Sequence, residues 1–266
     1  MTIVRANGAS AFEPSISIII PALNEAKGLG ETIAAARSSS VPSEVIVVDA
    51  DSSDSTTNLA TISGARVVRS RRRQRAHQLN LGAQHARAAT VLFLHADTIL
   101  PSGALDSIAG ALQTHGVAGG AFIRRYASSS RFLGATCLLA RCRNHLIGWH
   151  LGDQAMFVRR AAFFQLGGFR DVDRFEDLDF SRRLKRFGKI VTLTPGVTSS
   201  SRRFSHGAVR TTARDLGLTM RYLWSGLPRT APRQADSPDG PFMKPGERLQ
   251  RSHRCRSVSP HARARL

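Results

Sequence analysis

The chain predicts an α/β fold, a mostly parallel sheet with helices on both faces. Runs of β-branched residues too apolar to leave one face in water recur along the first hundred residues, and stretches of helical periodicity separate them. A third observation concerns chemistry. The runs Ile16-Ser17-Ile18-Ile19-Ile20-Pro21-Ala22-Leu23-Asn24-Glu25, Val45-Ile46-Val47-Val48-Asp49-Ala50-Asp51-Ser52-Ser53-Asp54 and Phe93-Leu94-His95-Ala96-Asp97-Thr98 all release carboxylates or amides at the same end. Open α/β sheets bind ligands beyond the carboxyl ends of their strands, so these endings define one candidate site.

The elements follow in order. Residues 15–21 form the first strand, and Asn24 is placed to cap a helix through Arg37. Val45–Asp49 repeats the strand pattern, Asp54 caps a helix to about Ser63, and Ala65–Val68 is a short third strand. Arg75–Arg87 is a helix with Ala76, Leu79, Ala83 and Ala86 on its apolar side, followed by a strand at Thr90–His95. Beyond Pro101 come a helix at Ala104–Thr114 and a strand in Gly119–Ile123, whose glycines permit close backbone approach. Phe132–Trp149 is an apolar helix with arginines interspersed. Met156–Val158 is a strand, Arg160–Leu166 a helix ended by Gly167-Gly168, Asp177–Phe187 a helix with Gly188 at its C-cap, and Ile190–Leu193 the last strand. Val209–Leu227 is amphipathic, with Leu216, Met220, Leu223 and Trp224 on one side and Arg210, Arg214 and Arg221 flanking them.

With 266 residues the chain holds one large domain and little else. Its expected organisation is a flexible stretch at 1–14, a catalytic domain at 15–208, an amphipathic helix at 209–228 suited to a membrane surface, and a disordered basic tail at 229–266. A formal net charge of +19 calls for an anionic partner. Aromatic residues are sparse around Arg69–Arg73, which argues against nucleic acid. Cys137, Cys142 and Cys255 form no C-x-x-C pair and leave an odd count, which argues against both a disulfide framework and a zinc site and fits a reducing cytoplasm. No run approaches the ~18 apolar residues of a spanning helix, so the expected protein is soluble or peripheral at the cytoplasmic membrane.

Taken in order with Glu176-Asp177-Leu178-Asp179, the three strand endings resemble family 2 glycosyltransferases of the GT-A fold. Within that family the chain is similar to a small bacterial group found beside radical-SAM or selenium-associated genes. The resemblance spans roughly Ser15 to Pro228 and rests on motif order, since each motif alone is weak. It implies a Rossmann-like, nucleotide-binding N-terminal half, an acceptor-binding C-terminal half, a nucleoside-diphosphate sugar donor, and an acceptor that is either a small molecule or lipid-linked.

The resemblance also carries residue roles. Pro21, Ala22, Asn24, Glu25 and Asp49 would line the nucleoside pocket. The chain departs from the usual pattern at Ala50, where many members have Asp, and at Asp51, where many have Gly. Asp97 would ligate Mn²⁺ or Mg²⁺ on the donor diphosphate. The family's D-x-D is here His95-Ala96-Asp97, so His95 stands where the first carboxylate would be; imidazole is better tolerated by Mn²⁺ than by Mg²⁺. Alternatively His95 is a strand-end histidine bonded to a carbonyl. Arg75, Gln78 and Asn80 lie in a stretch similar to the group's R-x-R-x-x-Q-x-N-x-G motif, near the donor phosphates or sugar. Gly152, Asp153 and Gln154 resemble the loop that meets the sugar. Asp177 would be the catalytic base and Glu176 its orienting or acceptor-binding neighbour; the alternative is an acidic pair that stabilises a helix N-terminus. Arg202 and Arg203 would close either on the diphosphate or on lipid headgroups.

The function expected is inverting transfer of a sugar to an acceptor hydroxyl. The competing reading is an inactive protein of the same fold that binds anionic membrane or polyanions. A nucleotidyltransferase would need a glycine-rich loop after the first strand, and Pro21-Ala22-Leu23-Asn24 is not one.

Overall fold

The computed structural model describes residues 13–205 and 207–225. Most of the expected flexible stretch 1–14, all of the tail 229–266 and the end of the amphipathic segment lie outside the described residues.

Eight strands form one sheet in the order β3-β2-β1-β4-β7-β6-β8-β5. They are β1 Ile16–Ala22, β2 Ser43–Asp49, β3 Arg66–Arg69, β4 Thr90–Phe93, β5 Thr98–Ile99, β6 Val117–Tyr126, β7 Met156–Arg159 and β8 Lys189–Ser199. Pairings β1–β2, β1–β4, β2–β3 and β6–β8 are parallel. Those of β7 with β4 and β6, and of β5 with β8, are antiparallel. The helices are α1 Ala26–Arg37, α2 Thr56–Ile62, α3 Arg75–His85, α4 Ala104–Gln113, α5 Arg131–Ile147, α6 Arg160–Gln165, α7 Glu176–Phe187 and α8 Ala208–Ser225.

The first strand explains the two-sided cover. Ile16, Ile18 and Ile20 pack with Leu29 and Ile33 of α1 and with Leu105 and Ile108 of α4. Ile19 points the other way, toward α3. There a Cβ on Gly82 would come within 2.3 Å of Ile19 Cγ2, so only glycine lets α3 lie this close. Phe93 continues that face into a cluster of rings with Phe163 of α6, Phe169 and Phe180 of α7. Alternate residues of β1 thus face opposite layers, and no position from Ile16 to Ile20 is left to water.

Several expectations needed correction. Asn24 does not cap α1: its backbone is left-handed at φ 56°, and Glu25 takes the cap position. The first N–H groups are instead satisfied from the neighbouring loop, where Thr56 Oγ1 accepts from Glu25 N at 2.8 Å and Asp54 Oδ2 from Ala26 N at 3.3 Å. Asp54 also accepts from Thr56 N at 3.0 Å and so serves the starts of both α1 and α2. β4 ends at Phe93 rather than His95, and β6 and β8 run well past Gly119–Ile123 and Ile190–Leu193. In β6, Cβ atoms on Gly119 and Gly120 would lie 2.4 Å from Phe157 O and 2.2 Å from Val191 O; the expected close approach is to both neighbouring strands.

Candidate active site

β1, β2 and β4 run parallel and finish at the same edge of the sheet, with Ala22 opposite Asp49. The two loops that follow β1 and β2 are laced together. Asn24 N donates to Ser52 Oγ at 2.9 Å, and Asn24 Oδ1 accepts from Ser53 N at 2.9 Å. Asp49 is 3% exposed and accepts from Ser52 N at 3.1 Å and Ser52 Oγ at 2.5 Å. These bonds make a fixed floor beside the half-buried Pro21 and the buried Ala22.

Two clusters stand on this edge, joined by the segment His95-Ala96-Asp97. In the first, Arg202 Nη2 lies 2.9 Å from Glu25 Oε2 and 3.4 Å from Asp97 Oδ2. The two carboxylates hold the Arg202 charge, with the Glu25 hydrogen bond the larger influence, and raise its already high pKa. Ala96 is buried, and its carbonyl accepts from Thr32 Oγ1 at 2.9 Å, which fixes the segment against α1. Arg203 lies in the same turn, but its side chain is outside the described residues.

The second cluster gathers the acidic pair. Arg75, at the start of α3, places Nε 3.3 Å from Glu176 Oε1 and sets Nη2 against His95 Nε2. Gly152 N donates to Asp177 Oδ2 at 2.6 Å. A Cβ on Gly152 would lie 2.9 Å from Arg75 Nη2, 3.1 Å from Asp177 Oδ2 and 3.2 Å from His95 Nε2. The chain therefore passes between three polar groups at a point where a side chain would crowd all of them. Phe175, just before the pair, is left-handed at φ 67°, a conformation costly for a bulky residue and typical of functional turns.

Burial shapes the charges here. Glu176 is 6% exposed, and desolvation, reinforced by the neighbouring Asp177, pushes its carboxyl up to about 7 despite the pull of Arg75. Burial also opposes ionisation of Asp153, but Arg124 and His95 overcome it and hold that carboxyl below the usual range. Arg124 Nη1 meets Asp153 Oδ2 at 2.5 Å, while Asp153 Oδ1 is buried with no hydrogen-bond partner. A carboxylate oxygen left in that state is suited to receive a ligand hydroxyl.

Other expected site residues spend their side chains on the protein. Gln78 donates to Ala22 O at 3.1 Å and Val48 O at 2.8 Å, joining the ends of β1 and β2. Asn80 grips both backbone groups of Phe169, at 2.8 and 2.9 Å. Gln154 is fully buried, donates to Phe122 O at 3.1 Å, and accepts from Leu151 N at 2.9 Å and Arg143 Nη2 at 3.0 Å. Sequence reasoning missed Arg124 and Arg143. Both sit among many arginines, and their partners lie 29 and 11 residues away, so local pattern held no signal for them. His150, pushed down to about 4 mainly by burial, is bonded behind the loop to Thr192 and Ser181.

Among the described residues no group of three or more His, Cys, Asp or Glu side chains is placed to hold a metal by itself. The donor set fits a divalent cation only where ligand oxygens complete its shell, as is usual when phosphates share the ion.

The profile of Glycosyl transferase family 2 matches residues 17–165. A search of curated proteins found no match. Among solved structures, Staphylococcus aureus TarS 1-349 in complex with UDP-GlcNAc is 16% identical with a TM-score of 0.60, over 70% of this chain and 58% of that one. The mannosyltransferase PcManGT from Pyrobaculum calidifontis, in complex with GDP-Man and Mn²⁺, is 22% identical with a TM-score of 0.57, over 72% and 57%. Glucosyl-3-phosphoglycerate synthase from Mycobacterium tuberculosis, in complex with Mn²⁺, UDP and glucosyl-3-phosphoglycerate, is 23% identical with a TM-score of 0.53, over 75% and 77%. The chain spans less than two thirds of the length of the first two, and at these identities the likeness is one of fold, the GT-A type of α/β sheet. The family profile, by contrast, covers more than half of the chain, from β1 through α6, and on that ground the protein belongs to glycosyl transferase family 2.

Proposed function

We propose that the protein transfers a hexose from a nucleoside-diphosphate donor to an acceptor hydroxyl with inversion at the anomeric carbon. The observation that carries this reading is the His95-Ala96-Asp97 segment. At one end it reaches the acidic pair through Arg75, and at the other it meets Arg202 and Glu25. Groups suited to a diphosphate and a group suited to take a proton thus flank one short stretch of chain. The order of motifs, including Arg73-x-Arg75-x-x-Gln78-x-Asn80-x-Gly82, supports placement in the group associated with radical-SAM and selenium genes.

In this reading the nucleoside lies on the floor made by Pro21, Ala22, Asn24 and Asp49, with Glu25 beside it. Asp177 takes the acceptor proton, and the acceptor oxygen forms its bond to the anomeric carbon. The bond from that carbon to the phosphate oxygen breaks, and its electron pair leaves on the nucleoside diphosphate. Asp97 would hold Mn²⁺ or Mg²⁺, which when bound would supply charge neutralisation there. Arg202 adds a fixed positive charge at the same place, where charge grows in the transition state. His95, turned to Arg75, orients the ion pair that positions Glu176. Asp153 Oδ1 and Gly152 border the sugar, and Arg124 keeps Asp153 ionised. Arg75, Gln78, Asn80 and Gln154 act by holding these groups in place.

The test is release of nucleoside diphosphate from a panel of nucleotide sugars with Mn²⁺, Mg²⁺ or chelator. Metal-dependent release from one donor, lost in Asp97→Ala, is the expected result. Release from none, or release that Asp97→Ala leaves intact, would overturn the assignment.

A further inference from the structure

We propose that α5 and α8 form a docking face for a bilayer containing anionic lipid. Thirteen large hydrophobic residues are exposed among the described residues, and ten of them lie on these two helices. On α5 they include Phe132, Leu139 and Leu146, seven residues apart and so on one side, with Leu139 69% and Leu146 78% exposed. On α8 they are Val209, Leu216, Met220 and Leu223 along one side and Trp224, which is 95% exposed. Elsewhere among the described residues only Leu23, Ile62 and Phe187 of the large hydrophobic residues are exposed, scattered over other elements, so this concentration is a surface in want of cover.

Charge chooses the occupant. Arg210, Arg214 and Arg221 follow at helical spacing and form a basic strip beside the apolar side of α8, whose one carboxylate is Asp215. α5 exposes Arg131 and Arg141 and carries no carboxylate. A helix with an apolar side and a basic flank lies flat at the boundary of anionic headgroups and acyl chains. Among the described residues no helix is long and apolar enough to cross a membrane. A groove of about 460 Å³ beside α5, lined by Ile123, Leu138, Cys142 and Leu146 with Arg141 and His145, extends the apolar area.

The two helices touch each other and the candidate active site. Tyr222 of α8 stacks on Phe175 with ring centroids 5.1 Å apart, one residue before the acidic pair. Arg143 of α5 bonds Gln154 in the Gly152 loop. A lipid-borne acceptor hydroxyl would therefore be offered beside Asp177. The docking face itself does not rest on the transfer reaction, and Asp177→Asn should bind vesicles like the wild type.

The experiment is flotation of the full-length protein with phosphatidylcholine vesicles, with and without phosphatidylglycerol, alongside tryptophan fluorescence. The expected result is binding only where phosphatidylglycerol is present, with a blue shift that Trp224→Phe removes. The double variant Leu139→Glu, Leu146→Glu should bind about tenfold more weakly, because both side chains would have to be withdrawn from lipid. Both sites are exposed, so unchanged circular dichroism serves as the folding control. Wild-type flotation in that double variant would overturn the proposal, since basic segments alone would then account for binding. Absence of vesicle binding, together with self-association that the same variant abolishes, would assign the face to a second copy of the chain and overturn it equally.

Discussion

Gly152 stands between Arg75, His95 and Asp177 with no room for a methyl group that does not displace one of them. Gly152→Ala should lower kcat by about tenfold or more while leaving the thermal midpoint nearly unchanged, because misplacing reacting groups costs rate more than stability. Steady-state kinetics with parallel melting curves would check it. Glu176 gives a second residue-scale prediction. Its folded value of about 7 lies above the ordinary 4.5, so between these values the folded protein binds more protons than the unfolded chain. Stability must then fall as pH rises through that window, by on the order of 3 kcal/mol for a shift of this size. Glu176→Gln removes the dependence. Melting curves should show the variant gaining on the wild type from pH 4.5 to pH 8; a constant difference would contradict the raised value. At this scale the sequence was legible where a carboxylate closed an apolar strand, as at Asp49, or followed one within a short turn, as at Asp97. Arg124 and Arg143 were not legible, because a buried arginine is distinguished from a solvated one by a partner the chain brings from elsewhere.

α3 shows how one element organises the site. Gln78 holds the ends of β1 and β2 together, and Asn80 grips Phe169. Gln74 donates to Val172 O at 2.7 Å, and Arg75 reaches Glu176. The helix thus fixes the segment 169–176 that carries the acidic pair. Asn80→Ala should destabilise the protein by about 1–3 kcal/mol, since two backbone groups lose partners, and should reduce activity beyond that loss because Glu176 and Asp177 lose their anchor. Chemical denaturation beside kinetics below the unfolding range would separate the two effects. Gly82→Ala meets Ile19 Cγ2 at 2.3 Å and should destabilise by about 1–3 kcal/mol through overpacking. Helical periodicity revealed α3 correctly, but it could not show which polar residues turn inward to backbone. The ends of β6 and β8 were hidden for a related reason: their pairing is long-range, and the sequence within each strand does not contain its register.

Across the whole molecule, the parallel half of the sheet was legible because strands covered on both faces must be apolar throughout, and Ile16–Ile20 and Val45–Val48 are. The antiparallel insertion of β7 between β4 and β6 was not, since a four-residue apolar strand carries no sign of its direction. The clustering of acidic groups at one edge followed from strand direction alone. The assignment of roles rests on motif order, while the matched family profile, over β1 to α6, shows the family. What joins the two halves into one reaction is the claim that Asp177 removes the acceptor proton. The most direct test is Asp177→Asn, measured for donor binding by calorimetry and for release of nucleoside diphosphate in the presence of acceptor. Donor affinity within about twofold of wild type with turnover lower by about 10²–10⁴-fold is the predicted result. Turnover at the wild-type rate in a folded Asp177→Asn protein would contradict the account.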